Sequence, residues 1–280
     1  MRKLTAIALA ILFAAPVAAE EVDRTLDAAS DGAVHVSNIA GSVAVDGWNR
    51  DEVHVKGTLG RNVEELIFER DGDRVTVKVK VPKRGGRGIA SDLRISVPRG
   101  SSLDVATVSA DIDVTAVQGE QKLEAVSGDI NTEAYESNVQ AGTVSGDVRI
   151  EGNGKDTETS GTTVSGDVTL RDLAGEVSAE SVSGDVIIDG GSFDRSEFNT
   201  VNGDIEFEAE LRNDGRLSAE TVNGGVDLQF EGAVSGRFDV DTFNGDIDNC
   251  FGPKPERTSK YAPGQELSFQ EGDGDARIDV

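Results

Sequence analysis

The chain predicts an all-β protein, a single-stranded parallel β-solenoid of about 18–21 residues per coil with an N-terminal β cap region. Three observations carry this. First, the phrase Val-Ser/Asn-Gly-Asp-Val/Ile recurs at Val126–Ile130, Val144–Val148, Val164–Val168, Val182–Val186 and Val201–Ile205, with looser copies at Val108–Ile112, Val222–Val226 and Phe243–Ile247. From start to start the steps are 18, 18, 20, 18, 19, 21 and 21 residues. A fixed period near 20 is the mark of stacked repeats. Second, aromatic residues make up only 5 % of the chain, which suits a narrow interior filled by small aliphatic side chains. Third, no segment after the N-terminus shows apolar residues at the 3.6-residue period of a helix. An antiparallel propeller fails on period, since a four-stranded blade needs about 40 residues. Right-handed winding is the expectation for parallel crossovers.

The chain opens with Met1-Arg2-Lys3, an apolar run over Leu4–Ala15 and Pro16-Val17-Ala18-Ala19. A charged start, a short apolar stretch and small residues form a secretory signal peptide over residues 1–19, with cleavage after Ala19. The run is too short for a comfortable membrane span, and no second one follows, so no transmembrane span is expected after cleavage. The expected location is the periplasm or cell surface. Losing Arg2 and Lys3 takes the formal net charge from −25 to −27. So acidic a surface opposes nucleic acid and anionic lipid. Cys250 is the single cysteine, so no internal disulfide is available. Its thiol is expected to be buried beside Phe251.

Residues 20–100 lack the clean repeat and are expected to form first coils and a cap, because an uncovered end exposes unpaired strand edges. Glu20–Gly32 reads as an extended lead-in. The pairs Val34/Val36, Val43/Val45 and Val53/Val55 read as short strands separated by turns at Ser37-Asn38, Ala40-Gly41 and Asp46–Asn49. Phe68–Val79 reads as a hairpin turning at Asp71-Gly72. Lys83–Gly88 is a basic loop. His35 and His54, the two histidines, sit between valines and are expected to face outward.

Residues 101–280 form the repetitive part, ending in a closing strand. Counting by twos along one copy puts Val144, Gly146, Val148 and Ile150 inward and Thr143, Ser145, Asp147 and Arg149 outward. A second, shorter strand precedes each phrase, as at Val177/Ala179, Leu217/Ala219 and Phe238/Val240. Parity slips by one before the next phrase, which predicts a corner there. Arg171–Gly175 is a turn with Leu173 dipping inward. Stacking aligns Ser127, Ser145, Ser165 and Ser183 in one column, continued by Asn202, Asn223 and Asn244. It aligns Asp129, Asp147, Asp167, Asp185, Asp204 and Asp246 in another, interrupted at Gly225. These aspartates are read as supporting the turn by accepting backbone N–H groups. A calcium ladder needs six to eight oxygens from several directions.

Repeated Val-Ser-Gly-Asp-Val coils behind an export signal resemble the bacterial adhesin-type β-solenoid family, catalogued as a domain of unknown function. The resemblance extends to Asn38–Val43, Gly47–Val53 and Pro263–Phe269. It implies an exported, non-catalytic envelope protein that binds or scaffolds an envelope or surface component, protein or glycan. Two alternatives stay open: a carbohydrate-active β-helix enzyme acting on polyuronates, and a self-assembling scaffold resembling the bactofilins. Short loops, with Trp48 the sole tryptophan and Tyr135 and Tyr261 the two tyrosines, speak against the enzyme. No catalytic, cofactor-binding or metal-ligating residue is assigned, because no triad, phosphate loop or zinc spacing occurs.

Overall fold

In the repetitive part each coil lies on the next through parallel pairing. The computed structural model describes residues 20–83, 86–259 and 263–280. The expected signal peptide at residues 1–19 and part of the Lys83–Gly88 loop lie outside them. The described residues contain strands and no helix, so the chain is all-β and solenoid-like. No helix among them is long and apolar enough to cross a membrane.

The register explains the repeat. The β-branched residue that closes each phrase stacks on its counterpart in the next coil, with Val43 in the same register: Val43 on Ile112, then Ile130, Val148, Val168, Val186, Ile205 and Val226. All but Val226 are buried. A second column runs Val36, Val105, Leu123, Ala141, Gly161, Ala179, Phe198 and Ala219. The two columns meet across a thin interior. A Cβ added at Gly161 would stand 2.8 Å from Val168 Cγ1. Small residues in one column therefore make room for branched ones in the other, as dense core packing requires. Toward the C-terminal end the core widens. Phe207 lies 6.0 Å from Phe193 and from Phe198, and 5.6 Å from Phe230. Phe238 stacks on Phe269 at 4.6 Å.

The N-terminal region is built on the strand Ala33–Trp48. It pairs in parallel with Arg74–Lys80 and Ser91–Pro98 on one side and with Ser102–Thr115 on the other. The expected short strands at Val34/Val36 and Val43/Val45 are thus one bent strand. Gly41, at φ 111°, takes the bend without breaking the pairing, a conformation open to glycine. Glu20–Asp27 pairs antiparallel with Glu52–Leu59, and Glu65–Asp71 with Arg74–Lys80. The second of these is the hairpin expected around Asp71-Gly72.

Three further expectations need correction. The valine that opens each phrase faces out, not in: Val144 is 46 % exposed, while Thr143 before it is buried. The corner falls inside the phrase, at Ser-Gly-Asp, so residues before and after it belong to different faces. Cys250 is exposed. The Asn249 side chain accepts the N–H groups of Phe251 and Gly252, turning Phe251 toward Phe238 and Phe269 and leaving Cys250 outside. Finally, Ala276–Asp279 does not lie at the end of the stack. It is inserted between earlier strands, with Leu217, Ile278 and Phe238 in register. The outer neighbour of Gly236–Asp241 is instead Gln265–Glu271, antiparallel to it.

Candidate functional site

The corner Thr-Val-Ser-Gly-Asp repeats as a unit, and each of its residues has a separate job. Glycine is required by close approach. A Cβ at Gly146 would lie 2.2 Å from the Gly128 carbonyl oxygen. At Gly166 the distance to Gly146 O is 2.0 Å, and at Gly184 it is 1.9 Å to Gly166 O. The buried threonine or serine at the head of the phrase satisfies those same carbonyls. Thr143 Oγ1 donates to Gly128 O at 3.1 Å, Thr163 to Gly146 O at 3.0 Å and Ser181 to Gly166 O at 3.0 Å. Thr200 and Thr221 repeat the contact to Gly184 and Gly203, both at 3.0 Å. This inward hydroxyl column escapes a count by twos, because the chain turns between it and the core valine.

The aspartates form a continuous relay. Asp147 N–H donates to Asp129 Oδ1 at 2.9 Å, Asp167 N–H to Asp147 Oδ1 at 3.1 Å and Asp185 N–H to Asp167 Oδ1 at 2.9 Å. Asp204 continues it at 2.8 Å, and Gly225 still donates its N–H to Asp204 Oδ1 at 2.7 Å. Carboxylates about 4.8 Å apart along a stack would repel. Here each is offset by a backbone N–H. The N–H of Asp167, and then Arg149, hold the Asp147 carboxyl below its ordinary value of 3.8. The hydrogen bonds are those of a structural support. Among the described residues no group of three or more His, Cys, Asp or Glu is placed to hold a metal ion.

With threonine turned in and aspartate bonded along the stack, valine and serine form the corner's outer surface. Val108, Val126, Val144, Val164, Val182 and Val201 are each 40–48 % exposed, Val222 is 73 % exposed and Phe243 92 %. From Val108 to Val222 this apolar ridge runs about 29 Å at the strand spacing of a sheet. Beside it the serines bridge in parallel from Ser127 through Ser145 and Ser165 to Ser183. Asn223 Nδ2 donates to Asn202 Oδ1 at 3.0 Å in continuation. A row of apolar side chains beside a row of hydroxyls and amides can bind an extended surface. It offers no convergent acid, base or nucleophile.

The histidines do not join this face. His35 lies 3.1 Å from Asp104, and His54 2.9 Å from Asp23, on the outward side of N-terminal strands. The hydrogen bond from His54 lowers the Asp23 carboxyl below its ordinary value.

Comparison with known proteins gives the following. A solved structure of a candidate cell adhesion protein from Clostridium sporogenes aligns with 69 % of this chain and 100 % of its own, at 10 % identity and a TM-score of 0.36, too low to carry an argument. A search of curated proteins returned no match. Residues 49–280 match Toastrack DUF4097, which takes in every repeated corner and most of the N-terminal strands. The chain belongs to the Toastrack DUF4097 family.

Proposed function

We propose that this is an exported, non-catalytic protein of the cell envelope that binds or scaffolds a surface component along its valine ridge. The observation that carries the reading is the ridge itself. Seven valines, from Val108 to Val222, stand exposed in a single line, and contiguous exposed apolar surface marks an interaction site. Residues 1–19 act as the export signal, residues 20–100 cap the stack and begin it, and residues 101–280 form the right-handed solenoid. The antiparallel pairing of Gln265–Glu271 with Gly236–Asp241 supports a stack closed at that end rather than one that polymerises end to end.

The test is capture of envelope fractions and purified cell-wall glycan by immobilised protein. The triple variant V144T/V164T/V182T keeps side-chain shape and β propensity while removing three exposed methyl groups. Wild type is expected to retain a specific component that the variant retains at least about tenfold less, given about 0.8 kcal/mol per buried methyl. Equal capture by both proteins, or none by either, contradicts the proposal.

A further inference from the structure

A second surface, remote in kind from the ridge, stands out in so acidic a chain. Register places Glu176, Arg195, Arg216, Arg277, Arg237 and Gln270 in one row across six adjacent strands. Four consecutive members are arginines, all exposed. Their strands lie about 4.8 Å apart, and like charges directly opposite are destabilising. Some arginines elsewhere in the repetitive part are matched. Arg212 is held by Asp156 and Asp194 at 2.6 Å each, and Arg149 by Asp147 at 2.9 Å. In the row, Arg195 has Glu176 at 3.5 Å and Arg277 has Asp279 at 3.7 Å. Among the described residues Arg216 and Arg237 make no ion pair. The row also lines a groove of about 420 Å³, whose walls include Arg216, Arg237, Arg277, Gln270, Asp214 and Asp275.

We infer that Arg216, Arg277 and Arg237 form a binding site for a phosphate or carboxylate group. Each guanidinium offers parallel N–H donors in one plane, which match two oxygens of such an anion. An anion laid across them turns their mutual repulsion into attraction. Asp214, Asp275 and the Gln270 amide provide acceptors for hydroxyl or ammonium groups beside it. The surrounding surface, acidic overall, repels long polyanions. The ligand is therefore a small polar acid or a single anionic chain end, not a nucleic acid.

The experiment is calorimetric titration of purified protein with methyl phosphate and, separately, with galacturonate, alongside thermal melting. Saturable binding of at least one probe at about 1 mM or tighter is expected, and the tighter probe identifies the anion. R277Q and R216Q are each expected to weaken it about tenfold or more, the scale of a charge-assisted hydrogen bond. R171Q, outside the row, leaves it unchanged. Without ligand R277Q should melt no lower than wild type, and the bound probe should raise the melting temperature of wild type and R171Q by more than that of R277Q or R216Q. Failure of both probes to saturate, or equal weakening by R171Q, overturns the inference.

Discussion

Asp147 and Asp167 occupy the same place in successive coils, and the backbone N–H of Asp167 donates to Asp147 Oδ1 at 3.1 Å. Through this bond a column of carboxylates acts as a set of supports between coils. It also makes stability depend on pH in a defined direction. Asp147 ionises below the ordinary 3.8, so its contribution is complete above that value and fades as pH falls through the lowered one.

Asp147→Asn keeps the acceptor oxygen and removes the charge. At neutral pH it is expected to lower stability by about 1 kcal/mol. The difference from wild type should shrink as pH falls below the ordinary carboxylate range, because wild type then loses the same charge. Urea unfolding at pH 7 and near pH 3 checks this. A difference that stays constant across both pH values contradicts the role given to the carboxylate.

Gly166→Ala places a methyl 2.0 Å from the Gly146 carbonyl oxygen. The coils must separate locally, at about 3 kcal/mol, the upper range for overpacking. Gly225→Ala is the matched control, for its nearest neighbour is Asp204 Oδ1 at 3.6 Å. It is expected within about 0.5 kcal/mol of wild type. Chemical denaturation of the two variants side by side measures the contrast.

Thr163→Val keeps the buried volume and removes the hydroxyl that reaches Gly146 O at 3.0 Å. A loss of about 1–2 kcal/mol is expected, because that carbonyl loses its side-chain donor. Thr163→Ser should recover most of it, since Ser181 makes the same bond to Gly166 O at 3.0 Å. Equal destabilisation by Val and Ser would point to packing instead of the hydrogen bond.

The stacking was legible because period and register are the same information: a step of 18–21 residues places Val148 on Val168 and Val168 on Val186. The apolar residue after Gly-Asp was read correctly as core, and Asp147 as a support for backbone N–H groups. What lay hidden was the direction of Thr143 and Val144. Counting by twos assumes a straight strand, and the turn at Ser145-Gly146-Asp147 reverses which side faces in. The ridge was therefore assigned to the core, and its exposure appears only once the corner is placed. Cys250 was misjudged for a related reason. Its apolar neighbour Phe251 does pack, but the Asn249 turn separates the two. The row joining Arg216, Arg277 and Arg237 is invisible along the chain, because Ala276–Asp279 enters the stack out of sequence order.

The most direct test of the ridge as the binding face is site-specific photo-crosslinking in intact cells. A photoreactive residue is placed in turn at Val126, Val164 and Val201 on the ridge, and at Arg149 and Glu206, exposed positions on another face. The ridge positions are expected to capture one common partner, and Arg149 and Glu206 none of it. The same partner captured equally from both faces, or none from any ridge position, would contradict the account.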